Sequence, residues 1–147
     1  MVSVVLANEE DIGRILEIEA EAISPPWTHG ALLGEIYRDD SFFAVASEDG
    51  VCQGFIILRC MADEGELLQI AVDKTARRRG IADLLTKAAL RFADESTLKA
   101  VFLEVRKSNY AAIALYNKHG FCPVRVRKDY YCEPIEDAVV MECKSSL

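Results

Sequence analysis

The chain of 147 residues is long enough for one domain with a sizeable core and too short for two domains of ordinary size. Hydrophobic residues make up 51% of it and charged residues 28%, which is ordinary globular usage and excludes a disordered chain, a collagen-like fibre and a disulfide-rich miniprotein. The 17 Lys and Arg against 24 Asp and Glu give a net charge of −7, which disfavours nucleic acid as a partner and fits a cationic partner or simply good solubility.

The first third of the chain predicts one strand and two helices. A strand is predicted over Val2 to Leu6, followed by a helix that Asn8 can cap and that extends to about Ile23. Ser24-Pro25-Pro26 ends this helix, and a second helix is predicted around Ala31 to Tyr37. The residues expected to share the buried face of the first helix are Ile12, Ile15, Leu16 and Glu19.

The middle of the chain predicts a hairpin, a third strand and a long helix. Phe42 to Ala46 and Val51 to Arg59 are strands joined by the turn Glu48-Asp49-Gly50, and Glu66 to Val72 is the next strand. The charged loop Asp73 to Gly80 then leads into a helix that ends at about Asp94. The apolar stripe predicted for this helix consists of Ile81, Leu84, Leu85, Ala88, Ala89 and Phe92.

The last third predicts a strand over Ala100 to Val105 and a helix over Ala111 to His119 that Gly120 closes. Two closing strands are predicted over Val124 to Val126 and Ala138 to Glu142. The order β-α-α-β-β-β-α-β-α-β-β mixes hairpins with βαβ crossovers. It therefore predicts an α/β fold, with a mixed sheet and helices on both faces, in a single domain over residues 1–147.

No membrane segment or export signal is predicted, because apolar stretches such as Gly54 to Leu58 fall far short of about 20 residues and Met1 to Leu6 lacks a basic flank. The cysteine count is odd and no pair has C-x-x-C spacing, so neither a disulfide framework nor a zinc site is suggested. We expect most of these cysteines to be buried in strands of a cytoplasmic protein: Cys52, Cys60, Cys122, Cys132 and Cys143.

Three arginines, Arg77, Arg78 and Arg79, stand directly before Gly80 and the N-terminus of the third helix. Cations are unfavourable at that end of a helix, so this placement makes sense if an anion lies among them. Free N–H groups of the first helical turn would bind a phosphate, and Gly80 would let the backbone approach it closely. A solvated basic loop is the alternative interpretation. No Walker motif occurs.

Glu104 lies within an apolar strand, where a carboxylate is costly to bury unless it is paired. It is either the structural partner of an arginine such as Arg106 or Arg125, or a general base. Tyr116 shares a helix face with Asn109, and is either a core aromatic or a site residue. The aromatic residues of predicted loops either line a pocket or close the ends of the sheet: Trp27, Tyr130 and Tyr131.

Together these segments resemble the GNAT superfamily of acyl-CoA-dependent N-acetyltransferases over essentially the whole chain. The family's loop pattern, Gln/Arg-x-x-Gly-x-Gly/Ala, is met by Arg77 to Ala82, and Leu68 to Asp73 matches its central strand. The segment Leu103 to Phe121 is similar to the ribosomal-protein-alanine N-acetyltransferase (RimI-like) branch. So are Pro26-Trp27-Thr28 and Arg127-x-x-Tyr130-Tyr131. The resemblance implies a largely antiparallel sheet of about six to seven strands.

The resemblance also implies residue roles. Backbone groups of Ile70, Ala71 and Val72 would hold the pantetheine arm and thioester carbonyl of acetyl-CoA, and Asn109 would contact the arm. The pyrophosphate would be cradled by Arg78, Arg79, Gly80, Ile81, Ala82 and Asp83, with Arg77 at the rim. The peptide groove would be bordered by Trp27, Tyr130 and Tyr131. Ala82 stands where many members have a second Gly, which would weaken cofactor binding slightly.

In this interpretation Glu104 is the general base, directly or through water, and Tyr116 is the general acid toward the leaving thiolate. The implied acceptor is the N-terminal alanine of a small-subunit ribosomal protein, with no metal, nucleic acid or membrane involved and a monomeric enzyme. A lysine or small-amine acetyltransferase, and a CoA-binding module without turnover, are the alternatives.

Overall fold

The computed structural model describes residues 1–23 and 25–145, so the predicted stop at Ser24 lies partly outside the described residues. The helices are α1 (Ile12–Ala22), α2 (His29–Ile36), α3 (Ile81–Glu95) and α4 (Tyr110–Lys118). The strands are β1 (Val2–Leu6), β2 (Ser41–Glu48), β3 (Val51–Met61), β4 (Glu64–Val72), β5 (Ala100–Arg106), β6 (Cys122–Tyr131) and β7 (Glu136–Lys144). The predicted order of elements and the α/β fold are confirmed.

The seven strands form one sheet in the order β1-β2-β3-β4-β5-β7-β6. Every neighbouring pair is antiparallel except β4 and β5, which run parallel because α3 crosses over between them. The hairpin between β2 and β3 turns at Asp49 and Gly50, whose φ angles of 52° and 80° are those of the predicted two-residue turn.

Helices cover both faces of the sheet, but unequally. On one face α3 buries Leu85 against Ile56 and Leu103, and on the other α1 and α2 bury Ile15 and Leu32. The second group covers only the half of the sheet that contains β2, β3 and β4, since the contacts of α1 and α2 are with those strands. The opposite half, β5-β7-β6, therefore has an uncovered face. Among the described residues, no helix combines the length and apolarity that crossing a bilayer requires.

The sheet is split between β4 and β5. Their pairing covers only Glu64 to Glu66 against Ala100 to Phe102, so the rest of the two strands diverges and leaves a gap. On its other side β4 pairs with β3 throughout, with a bulge that gives β4 one extra residue, Leu68. The gap opens beside the last six residues of β4, Leu67 to Val72, which include the strand segment predicted to bind the cofactor.

Several predicted side-chain positions are wrong. Leu84 is exposed, because the buried stripe of α3 runs at a spacing of four through Ile81, Leu85, Ala89 and Ala93. In α1, Ile18 is fully buried while Leu16 is only partly so. The physical reason is the same in both helices: apolar residues were more numerous than the width of the contact face allows.

The strand β6 is longer than predicted, and Tyr130 and Tyr131 lie at its end rather than in a loop. As an edge strand with only β7 beside it, β6 is exposed over almost its whole length. The prediction that most cysteines are buried is therefore wrong: Cys122 starts this strand, Cys132 follows it, and both are exposed. All five thiols are free, and only Cys52 is fully buried.

A glycine, which has no Cβ, is required where β3, β4 and α3 meet. A Cβ atom at Gly54 would lie 2.8 Å from the carbonyl oxygen of Ala71 and 3.3 Å from the Leu85 side chain. We therefore expect Gly54→Ala to lower the free energy of unfolding by about 1–3 kcal/mol, measured by urea denaturation. Gly34→Ala on the exposed side of α2, where a Cβ meets nothing within 4 Å, is the control and should leave stability unchanged or higher.

Candidate active site

The gap between β4 and β5 exposes backbone groups of β4 that a complete sheet would use. The N–H of Asp73 donates to the carbonyl of Gln53 at 2.8 Å, so residues of β4 in the same phase, such as Ala71, bond to β3. Because the direction of backbone groups alternates along a strand, the N–H groups of Ile70 and Val72 face the gap. No strand pairs with them there among the described residues. The structure therefore places unused hydrogen-bond donors where the resemblance expects a thioester carbonyl.

A cavity of about 280 Å³ occupies this gap. It is lined from both faces of the sheet, by the end of α1, the diverging strands, the start of α4 and the end of β6. The cavity brings together six of the predicted site residues: Trp27, Ile70, Glu104, Asn109, Tyr116 and Tyr131. Residues from sequence positions more than a hundred apart thus converge on one space.

Glu104 lies on β5 at the wall of this cavity with its side chain 21% exposed. Its Oε2 atom accepts a hydrogen bond from Nη1 of Arg127 at 3.2 Å. The partners considered from the sequence were Arg106 and Arg125, and neither is the partner. The side chain of Arg106 is turned toward the loop after β6 and donates to the carbonyl oxygens of Cys132 and Pro134 at 3.1 and 3.0 Å.

Tyr116 is buried on α4 and packs edge-to-face against Phe121, with ring centroids 5.7 Å apart. Burial raises the pKa of its hydroxyl to about 12. The hydroxyl is therefore protonated at neutral pH, the state that a proton donor needs. Burial also raises the pKa of Tyr131 to about 12, and the charge of Glu104 adds to that shift.

Asn109 caps α4, because its side-chain oxygen accepts a hydrogen bond from the N–H of Ala112 at 3.2 Å. Its side chain thus starts the helix that carries Tyr116 and also lines the cavity. The position fits the predicted contact with the cofactor arm, which stays a prediction.

The start of α3 has the geometry of an anion site. Gly80 adopts a left-handed φ of 77°, and open space surrounds the position where a Cβ would lie. Leu84 is the first residue whose N–H bonds back along the helix, to Gly80 at 3.1 Å. The N–H groups of Ile81, Ala82 and Asp83 therefore have no acceptor within the helix and are available to an anion.

The charged side chains around this helix start differ in whether they already have hydrogen-bond or ion-pair partners. Arg79 forms a two-pronged ion pair with Glu48, one prong at 3.0 Å, and Arg77 donates to the carbonyl of Val72 at 3.4 Å. The carboxylate of Asp83 bonds His119 at 2.8 Å and Lys118 at 3.0 Å, which ties α3 to the end of α4. Arg78 alone of the three arginines has no hydrogen bond or ion pair within residues 1–23 and 25–145. Its side chain is the one left for a phosphate.

One residue near the cavity, on α1, was given no site role from the sequence. Glu19 on α1 is fully buried, and one of its carboxylate oxygens accepts from the backbone N–H of Trp27 at 3.4 Å. Burial raises the pKa of Glu19, and the hydrogen bond from Trp27 opposes that shift. Glu19 thus holds the segment that carries Trp27 against the sheet. The available signal was a carboxylate within an apolar helical stripe, where burial demands a partner.

Comparison with known proteins gives a consistent result. The family model described as Acetyltransferase (GNAT) family matches residues 12–121. The ribosomal protein bS18-alanine N-acetyltransferase of Haemophilus influenzae is 37% identical over 139 residues, which cover 90% of this chain and 92% of that protein.

Two solved structures share the fold. The ribosomal-protein-S18-alanine N-acetyltransferase of Escherichia coli superposes with a TM-score of 0.91 at 28% identity, covering 100% of this chain and 96% of that one. The PaiA N-acetyltransferase of Thermoplasma acidophilum in complex with coenzyme A superposes with a TM-score of 0.80 at 22% identity, over 99% of each chain.

Proposed function

Because the chain belongs to the acetyltransferase (GNAT) family and is an N-acetyltransferase, we propose that its acceptor is the N-terminal alanine of a small-subunit ribosomal protein. The observation that carries this proposal is the cavity between β4 and β5, where Glu104 and Tyr116 line one space. The likeness to relatives named for ribosomal protein bS18 supports the choice of acceptor. The cytoplasmic location and the monomeric state stay predictions.

Acetyl-CoA, which proteins of this family use, supplies the acetyl group as a reactive thioester. Two observations support such a co-substrate for this chain. The N–H groups of Ile70 and Val72 face the gap without strand partners, and the first turn of α3 offers unbonded N–H groups beside Gly80. We propose that the first pair binds the thioester carbonyl and that the helix start, with Arg78, binds the pyrophosphate.

The residues of the cavity suit an α-amine. An α-amine has a pKa of about 7.7–8.0 against about 10.4 for lysine, so roughly a tenth of it is already neutral at pH 7. A carboxylate such as Glu104 is then a sufficient base, directly or through water, while the acceptor nitrogen bonds to the acetyl carbon. Tyr116 gives its proton to the departing sulfur. A lysine, with its higher pKa, would be neutral in a far smaller fraction at pH 7, so the α-amine is the easier acceptor.

A pair of peptides tests the acceptor. We expect acetylation of a basic peptide that begins with alanine, and no acetylation of the same peptide when its N-terminus is blocked and only its lysines are free. Acetylation of the blocked peptide alone would identify a lysine acetyltransferase instead. Mass spectrometry of both products locates the acetyl group. The native acceptor follows from comparing ribosomal proteins of cells with and without the enzyme.

The negative charge predicts how the acceptor arrives. With a net charge of −7, and with Arg79 already paired to Glu48, the field around the cavity should attract a basic peptide. We expect kcat/KM for that peptide to fall severalfold as salt rises, because ions screen the attraction. A neutral peptide that begins with alanine is the control. Equal salt dependence of kcat/KM for the two peptides would show that the net charge does not attract the acceptor and contributes only to solubility.

A further inference from the structure

We propose that Arg127 is a positioning residue for Glu104, and that Tyr130 acts on the reaction through Arg127 rather than by contact with the peptide. The proposal rests on the proposed function, because it concerns the base of that same reaction. It changes the role of Tyr130, which the resemblance to the family placed at the border of the peptide groove. In the structure Tyr130 does not line the cavity between β4 and β5.

The first observation is the one-sided contact between the two charges. Arg127 donates from Nη1 to Oε2 of Glu104 at 3.2 Å. The other oxygen, Oε1, accepts no hydrogen bond from any residue within the described part of the chain. Arg127 thus fixes the carboxylate by one oxygen and leaves the second oxygen for a proton from the acceptor or from a water molecule.

The second observation is that Arg127 is itself held in place. Its guanidinium carbon lies 5.3 Å from the centroid of the Tyr130 ring, the geometry of a cation–π contact. In a regular strand, residues three apart point to opposite faces, so Tyr130 could not reach Arg127. The register of β6 is broken between Arg127 and Tyr131, and Asp129 adopts a φ of 53°. That irregularity brings the ring beside the guanidinium.

The third observation separates a positioning role from a structural one. The side chains of Arg127 and Glu104 are 47% and 21% exposed. Ion pairs of this exposure contribute little to stability, so the fold does not depend on the pair. Catalysis is far more sensitive, since a base displaced by about 1 Å costs on the order of 100-fold in rate. Removal of Arg127 should therefore lower activity without unfolding the protein.

The test compares Arg127→Gln, Arg127→Lys and Arg125→Gln. Arg125 lies on the same strand, and it lines with Arg127 and Glu104 a second cavity, of about 210 Å³, that is distinct from the one between β4 and β5. It has no ion pair among the described residues, so it controls for loss of one positive charge. We expect Arg127→Gln to lower kcat about 10–100-fold with little change in the KM for acetyl-CoA or in the thermal midpoint. Arg127→Lys should restore part of the loss, and Arg125→Gln should stay within about twofold of wild type.

A double mutant tests the coupling directly. If Arg127 acts only through Glu104, then Arg127→Gln should have almost no further effect in a Glu104→Gln background. Tyr130→Ala should resemble a mild form of Arg127→Gln, and Tyr130→Phe should not, because the ring is kept. An unchanged kcat in Arg127→Gln, or the same loss in both backgrounds, would overturn the proposal.

The outcome can be separated from failure of the proposed function. If only the lysine peptide is acetylated, the proposed acceptor is wrong, and the Arg127 variants are compared on that peptide instead. The side-chain Nη–H NMR signals of Arg127 in wild type and in Glu104→Ala report the pair without any turnover. Signals that do not respond to Glu104→Ala contradict the proposal even if no acceptor is found.

Discussion

Replacing Glu104 with glutamine is expected to lower kcat for the alanine peptide by about 10²–10⁴-fold, the usual cost of removing a general base. Glutamine keeps the size of the side chain and can still accept a hydrogen bond from Arg127, but it cannot take a proton from the amine. The KM for acetyl-CoA should change little, because Glu104 is not among the groups proposed to bind it, which are the free N–H groups of β4 and the start of α3. Steady-state rates with saturating acetyl-CoA measure the effect.

Glu142→Gln is the matched control for this variant. Glu142 lies on β7 directly beside Phe102 of β5, and it lines neither the gap nor the helix start of α3. Its replacement by glutamine removes the same charge as Glu104→Gln does. It should retain activity close to wild type. A Glu104→Gln enzyme that also retains its rate would exclude Glu104 as the base. An equally low rate in wild type and Glu104→Gln would favour the alternative interpretation, that the chain is a CoA-binding module without turnover.

The second large effect is expected from Tyr116→Phe, which should lower kcat by about 100-fold and raise the KM for the peptide much less. Phenylalanine keeps the packing against Phe121 and loses only the hydroxyl, so the free energy of unfolding should change little. Measured kcat with a poor and a good thiol leaving group would show the reason: the loss should shrink when the departing thiol is more acidic. Tyr110→Phe, an exposed position on the same helix, is the control.

The pH dependence follows from the direction of the shift. Burial raises the pKa of Tyr116 from about 10 to about 12, so the protonated and active form persists across the working range and is lost only as pH rises through about 12. We therefore expect no alkaline fall in kcat below about pH 10 that depends on Tyr116. A fall in kcat near pH 8 that disappears in Tyr116→Phe would contradict the assignment of Tyr116 as the general acid. An unchanged kcat in Tyr116→Phe, with chemistry as the rate-limiting step, would contradict it as well.

Local patterns made the elements predictable. Asp49-Gly50 permits the two positive φ angles of a tight hairpin, and Asn8 and Thr28 accept hydrogen bonds from the first turns that follow them. These preferences depend only on neighbouring residues, so they can be predicted without the tertiary fold. The long helix α3 was predicted for the same reason, although its buried stripe was assigned too widely.

The site was harder to predict from the sequence, because its geometry depends on residues far apart in the chain. The divergence of β5 from β4 has no local signal, and it is what turns Ile70 and Val72 into free donors. Glu104 was singled out correctly as a strand carboxylate in need of a partner. The identity of that partner, Arg127, depends on the register of β6 against β7 and on its irregularity, which no spacing rule predicts. The roles of the cofactor-binding and peptide-binding residues stay predictions.

Because the sheet is split, hydrogen exchange at the amides of β4 should report whether acetyl-CoA is bound in the gap. Amide protons of Gln69 and Ala71 are held by β3, whereas those of Ile70 and Val72 have no strand to protect them, so hydrogen exchange along this one strand should alternate between slow and fast. Adding acetyl-CoA should slow exchange at Ile70 and Val72 and leave their neighbours unaffected. A residue-resolved exchange experiment would thus follow binding in the gap even in a catalytically dead variant.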